Sequence, residues 1–279
     1  LSALLPALCL WLASTTTAQA QIAPECTGVA VPANYDEARQ QAHLANYFAA
    51  GFLLTPGLAA PRTSSGGAVG LELGLIPPLS CSARLVLDGT KTEDTNKSPV
   101  LPRPRVRAAL PALAGVTPWM GASFLPPVPS PIGTLLFVGT ELGAAWSHRD
   151  GFTVGARAHL DFARMRGEIA TPANPDDPAV DDLFFANGIG VDLQAAWTFE
   201  PAPAVTIAPF GSVGFADVST LTIVGDDLAI VQNTEAPWWG ALLAGGVEAR
   251  LFQHLLVGIE ASMAVPIYPT AKLFIGAAW

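Results

Sequence analysis

The stretch Pro269-Thr-Ala-Lys-Leu-Phe-Ile-Gly-Ala-Ala-Trp279 decides the fold, because it alternates strictly and closes on an aromatic. Ala271, Leu273, Ile275, Ala277 and Trp279 fall on one face of a strand, and Lys272, Phe274 and Gly276 fall on the other. A lipid-facing barrel needs strands of this kind: apolar on one side, mixed on the other, with an interfacial aromatic at the end.

Working back from that strand, nine more alternating segments precede it, near 67–76, 101–110, 115–125, 133–147, 151–165, 183–199, 204–217, 237–251 and 254–265. With the C-terminus on the periplasmic side, the connections at 111–114, 148–150, 200–203 and 252–253 lie inside and are short. Those at 77–100, 166–182, 218–236 and 266–269 lie outside and are mostly longer, with 126–132 intermediate. Bacterial membrane barrels show the same asymmetry. Phe185, Ile189, Val191, Leu193, Ala195, Trp197 and Phe199 share an outward face, opposite Gly188, Gly190, Asp192, Gln194 and Thr198. In 254–265, Leu255, Val257, Ile259, Ala261, Met263 and Val265 point out, while His254, Gly258, Glu260 and Ser262 point in. Trp119, Trp146, Trp197, Trp238, Trp239 and Trp279 lie towards segment ends, as aromatic girdles require. The expected fold is all-β, an antiparallel transmembrane β-barrel of about 10–12 strands with a short N-terminal helix. Ser82 to Asp88 and Ala49 to Leu54 are the two stretches that would raise the count to twelve.

Composition agrees. The 279 residues are 51% hydrophobic and 13% charged, and no window outside the leader offers ~18 consecutive apolar residues, so helical spans are not expected. A secreted β-sandwich would carry charge on its outward faces, which are bare here. The net charge of −9 speaks against nucleic acid as a partner.

Residues 1–20 read as a signal peptide, apolar from Leu1 to Ala13 with a small-x-small site at Ala18-Gln-Ala20. Residues 21–65 form a separate N-terminal segment. Asn34 and Glu37 at capping-box spacing predict a helix through about Ala50, followed by a Pro/Gly/Ser linker from Pro56 to Gly67. The barrel occupies 66–279. Cys9 leaves with the signal, so Cys26 and Cys81 are the two thiols able to pair in an oxidising compartment. Cys81 follows the first strand at its external end. A bond to Cys26 requires the N-terminal segment to run through the lumen as a plug; free thiols leave a periplasmic helix. Both readings stay open at this point.

Parity sends Glu72, Arg103, Arg105, Arg107, Glu141, Arg157, His159, Asp161, Asp192, Glu248, Arg250, Glu260 and Lys272 into the lumen. They would line a charge-selective pore, or pair and fill a narrow closed barrel. The external loops are acidic, with Asp88, Glu93 and Asp94, then Asp176, Asp177, Asp181 and Asp182, then Asp226, Asp227 and Glu235. Ordinary solvation explains them better than cation binding. Arg164 and Arg166 point outward near the external rim, where lipid phosphates lie. No enzyme is expected: Gly211-Ser212-Val213-Gly214 is not a nucleophile elbow, and Gly188-Ile189-Gly190 lacks the rest of a dinucleotide fingerprint. His43, His148, His159 and His254 have no metal-ligand spacing, so neither a metal nor a cofactor is expected. His159 with Asp161 is the one acid/base pairing, and a structural hydrogen bond is its simpler reading.

The signal, the alternating strands and the C-terminal aromatic strand together resemble bacterial outer-membrane β-barrel proteins. The resemblance implies the outer membrane of a Gram-negative bacterium and lipid as a partner. The N-terminal helical segment, with Pro102, Pro104 and Pro118 inside early strands, also resembles the outer-membrane long-chain fatty-acid transporter family. That family has fourteen strands, more than this chain can supply, and its resemblance implies a lumenal plug, a kinked strand and porin-like transport of hydrophobic molecules. The function expected is a barrel that passes or binds a small solute, hydrophobic ones included. The alternative is a closed structural barrel whose acidic loops make surface or protein contacts.

Overall fold

A computed structural model describes residues 22–53, 66–93, 100–130, 133–148, 151–167, 181–224, 232–265 and 268–279. Residues 1–20, the expected signal peptide, and most of the expected linker lie outside these residues. Ten barrel strands follow in chain order: β1 (Gly66–Leu75), β2 (Val100–Ala109), β3 (Val116–Ser130), β4 (Gly133–Ser147), β5 (Phe152–Gly167), β6 (Asp182–Trp197), β7 (Val205–Val224), β8 (Gln232–Leu251), β9 (Leu255–Ala264) and β10 (Tyr268–Ala278). Each pairs antiparallel with its sequence neighbours, and β10 closes on β1 from Ala68↔Ala278 to Leu75↔Ala271. The two stretches that allowed a count of twelve are otherwise used. Ala49–Leu53 is helical, and Cys81–Arg84 is a 3-10 turn leading into a two-residue ribbon, Leu85–Val86 with Lys91–Thr92.

The register fixes the barrel's geometry. From Val69 the partners run one way through Val106, Ala122, Thr140, Leu160, Ile189 and Asp217 to Trp239, and the other way through Ala277 and Leu255 to Leu251. Both paths end on β8, at positions 239 and 251, so the ring closes with a shear of 12. Ten strands with this stagger tilt by roughly 40° and leave an interior that side chains can fill.

Burial alternates along the strands, with β5 reading intermediate-buried-exposed and then buried-exposed throughout. The exposed set on the outer wall is apolar, including Val69, Leu142, Leu160, Ile189, Val191, Leu193, Val213, Leu243, Ile259 and Ile275. Trp146, Trp197 and Trp279 are exposed at strand ends and suit girdles, whereas Trp239 is exposed within β8. Two others do not suit girdles: Trp119 is 2% exposed and faces inward beneath Arg107, and Trp238 packs against the interior cluster. Sequence position near a strand end cannot separate a girdle residue from an inward one; parity does. His254 also departs from its expected lumenal position. It sits exposed in the β8–β9 turn, where its carbonyl accepts the Ala278 N–H.

The helix, α1 (Glu37–Leu53), begins later than expected. Asp36 caps it, its carboxylate accepting the Arg39 N–H at 3.1 Å, whereas Asn34 lies in the preceding turn.

Candidate functional site: a filled lumen and a proline seam

α1 lies inside the external half of the barrel. Its buried Tyr47, Ala49, Ala50 and Leu53 form one cluster with Leu135, Phe137, Ala163, Met165, Phe184, Ala186, Ala216, Val218, Ala236, Leu242 and Ala264. These residues come from the inner faces of six strands around the ring, which places the helix in the lumen. A helix with side chains needs ~10–12 Å, so the wall around it must be thin. Ala163, Ala186, Ala216 and Gly188 supply that room, the last with Leu53 directly over it.

The inner wall towards the periplasmic side is built oppositely, from long charged side chains that pair mostly between neighbouring strands, with Arg105–Glu141 and Arg107–Glu248 joining strands that are not adjacent. Glu72 on β1 takes Arg103, and also Arg105 at 2.9 Å. Arg105 continues to Glu141 on β4 at 2.6 Å, Glu141 takes Arg157 on β5 at 3.1 Å, and Arg157 reaches Asp192 on β6 at 2.7 Å. Arg107 faces Glu248 at 3.7 Å, Lys272 faces Glu260 at 3.3 Å, and His159 Nδ1 lies 2.8 Å from Asp161. Of the inward charges read from parity, Arg250 and Glu248 are half-buried and the others are buried. Their arrangement is that of a filled barrel, with carboxylates bridging guanidiniums in series, rather than of a wet pore.

Glycines make the series possible. Glu141 reaches Arg105 by lying across β3 at Gly121, where a Cβ would collide with its carboxylate. Asp161 lies over Gly139, His159 over Gly190 and Trp119 over Gly143 in the same manner. The spacing of inward glycines is therefore a readable sign of long side chains on the adjacent strand, one the sequence reading did not use.

The wall is interrupted between β2 and β3. Among the described residues their ladder runs from Ala109↔Trp119 to Arg105↔Ser123 and stops. Above it, Leu101–Pro104 and Phe124–Pro129 are neighbours in the ring without ladder pairs, although β2 pairs along its length with β1 and β3 pairs with β4 on both sides of a bulge. Proline explains the break. Leu110 donates its N–H to the Pro118 carbonyl at 2.8 Å, so even-numbered residues of β2 turn their backbone groups towards β3. Pro102 and Pro104 share that parity and have no N–H to give. On the facing strand, Pro126 and Pro127 occupy a bulge between Leu125 and Val128, and Pro129 follows. The strand expected to end at residue 125, with the prolines in a connection, continues to Ser130 as an edge. At the foot of the seam a cleft is lined chiefly by inward residues, among them Arg103, Arg105, Ser123, Glu141, His159 and Asp161. Its volume is about 10 Å³, close to the room of one water.

The external mouth is capped. Cys26 and Cys81 are bonded, with S–S 2.06 Å and Cα–Cα 5.3 Å. Arg84 pairs with Glu25 at 2.7 Å, the Ala23 N–H reaches Thr92 Oγ1 at 2.7 Å, and Gln40 on α1 donates to the Ala83 carbonyl at 2.5 Å. Glu37 accepts hydrogen bonds from the Tyr35 hydroxyl and the Asp88 N–H. Burial alone would raise its carboxyl, but these bonds together hold it below the usual carboxylate range. Burial, reinforced by Glu37, pushes the Tyr35 phenol up.

Of the acidic loop residues, Asp94, Asp176, Asp177, Asp226 and Asp227 lie outside the described residues, as does the side chain of Glu235. Asp181 pairs with Arg166 at 3.2 Å, Glu93 with Lys91 at 2.7 Å, and Asp182 is fully buried. Arg164 points outward and stacks over Phe185 at 5.7 Å. Among the described residues no group of three or more His, Cys, Asp or Glu side chains could hold a metal.

The closed ring, apolar outer wall and filled interior define a bacterial outer-membrane β-barrel. Solved structures with a similar fold include the β domain of the Bordetella autotransporter BrkA (13% identity, TM-score 0.40, 77% of this chain and 99% of that one). Ail, the attachment invasion locus protein of Yersinia pestis, is another (8%, 0.32, 77% and 97%). A third is the toluene transporter TodX of Pseudomonas putida (10%, 0.31, 78% and 68%). No family model and no curated protein matches the sequence.

Proposed function

We propose that the barrel admits or binds a small hydrophobic solute sideways, through its wall between β2 and β3, and not along its axis. The observation that carries this reading is the proline seam, a stretch of wall where two membrane strands face each other without a ladder. Unpaired backbone in the hydrocarbon region costs several kcal/mol per group, so removing the donors with proline lowers the cost of leaving the strands apart. The axial route is unfavourable because α1 occupies one half of the lumen and the Glu72-to-Asp192 series of ion pairs the other. The solute class follows from the outer wall, where Pro102, Pro104, Val106 and Phe124 flank the seam with no charge. No catalytic step is assigned.

The test is entry of N-phenylnaphthylamine, a hydrophobic fluorophore, into cells expressing the chain in a porin-deficient outer membrane. The wild-type chain should raise the entry rate several-fold over vector, and the double variant Pro102→Val, Pro104→Val, which restores two donors towards β3, should return it to background. Equal entry with vector and wild type would reject the reading. That result would favour a closed structural barrel, a reading supported by the completeness of the ion-pair series.

A further inference from the structure

We infer that the amino-terminal end of the mature chain faces the cell exterior, and that the barrel carries its own N-terminal segment through the lumen as a strap stapled at the surface. The observations are independent of the seam. Residues 22–37 are attached wholly to the external segment that follows β1: Ala23 to Thr92, Glu25 to Arg84, Cys26 to Cys81 and Glu37 to the Asp88 N–H. α1 then runs inward, from Gln40 bonded to Ala83 at the mouth to Leu53 over Gly188 within the barrel. The chain rejoins the wall at Gly66, whose partner Ala109 sits at the opposite end, beside the tight Ala114-Gly115 turn. The N-terminal segment therefore enters from outside, and its described part ends with Leu53 within the barrel.

A surface-anchored strap has a functional consequence. A peptide placed ahead of Ile22 is presented on the cell, held by the disulfide rather than by the flexible end of a loop.

The test uses the full chain with its leader and a short epitope inserted between Gln21 and Ile22. A second version carries the epitope between Ala114 and Gly115 as a periplasmic reference. Heat-modifiable migration on gels confirms that each barrel is folded. Antibody should bind intact cells carrying the first version at many times the level of the second, and the two should become equal after permeabilisation. Folded barrel with the first epitope silent until permeabilisation would overturn the inference, as would surface binding of the second epitope. As a measurement without insertion, reduced intact cells should attach an impermeant maleimide to Cys81, the more accessible of the two thiols; labelling of Cys81 only after lysis would likewise overturn it.

Discussion

Substituting Glu141→Ala removes the central carboxylate of the lumenal series. Glu141 accepts from Arg105 Nε at 3.0 Å and Nη2 at 2.6 Å, and from Arg157 Nη1 at 3.1 Å. Both guanidiniums are buried. Breaking a buried pair by removing one partner costs ~3–5 kcal/mol, chiefly because the remaining charge is stranded. Here each arginine retains a second carboxylate, Glu72 at 2.9 Å for Arg105 and Asp192 at 2.7 Å for Arg157. The loss should therefore fall near ~3 kcal/mol, the lower end of that range. Urea unfolding in detergent micelles, read by the heat-modifiable gel shift, measures it. A double-mutant cycle with Arg105→Ala should show a coupling of roughly 1–3 kcal/mol, as residues in one ionic network do. A loss below ~1 kcal/mol with no coupling to Arg105, in the range of exposed pairs, would refute the claim that the series is dry.

Other perturbations probe other parts. Leu193→Arg places a charge mid-wall on β6, where the side chain is 60% exposed to lipid, and should destabilise by ~2–4 kcal/mol in vesicle-based unfolding. Ala216→Phe overfills the fully buried wall behind α1, at a cost of ~1–3 kcal/mol, and should raise proteolysis of the helix; unchanged protection would contradict the plug geometry. Cys81→Ser opens a link spanning 55 residues, removing up to about 4 kcal/mol of loop-closure stabilisation in the same unfolding assay. Glu37 has a folded pKa below 4.5, so its contribution is complete above that value and is lost as pH falls through the folded pKa. Protection of the Asp88 amide against exchange should accordingly decline on acidification below about pH 4.5, with no compensating gain at higher pH.

The barrel was legible because lipid enforces the period-2 pattern at every outward position of the strands, so Leu193 or Ile259 could be sorted by parity alone. The lumenal charges were legible for the same reason. Their pairing was not: parity does not supply the register that sets Arg157 opposite Asp192, and Arg105 and Glu141 sit on strands that are not adjacent and meet through the space over Gly121. The seam was half legible: Pro102 and Pro104 signalled a kink, but Pro126-Pro127 read as a loop, since a bulge at a sheet edge has the composition of a turn. Trp119 was misplaced because an aromatic near a strand end fits either a girdle or a core. The helix cap shifted from Asn34 to Asp36 because both residues satisfy the local preference, and contacts of Tyr35 and Glu37 with the external segment decide between them.

Single-channel conductance of the purified wild-type chain in a planar bilayer bears most directly on the central claim that the lumen is filled from mouth to base and any passage runs through the wall. The account predicts insertion without steady current steps. Stable ohmic steps from the disulfide-intact chain would show a continuous aqueous path along the axis and contradict it.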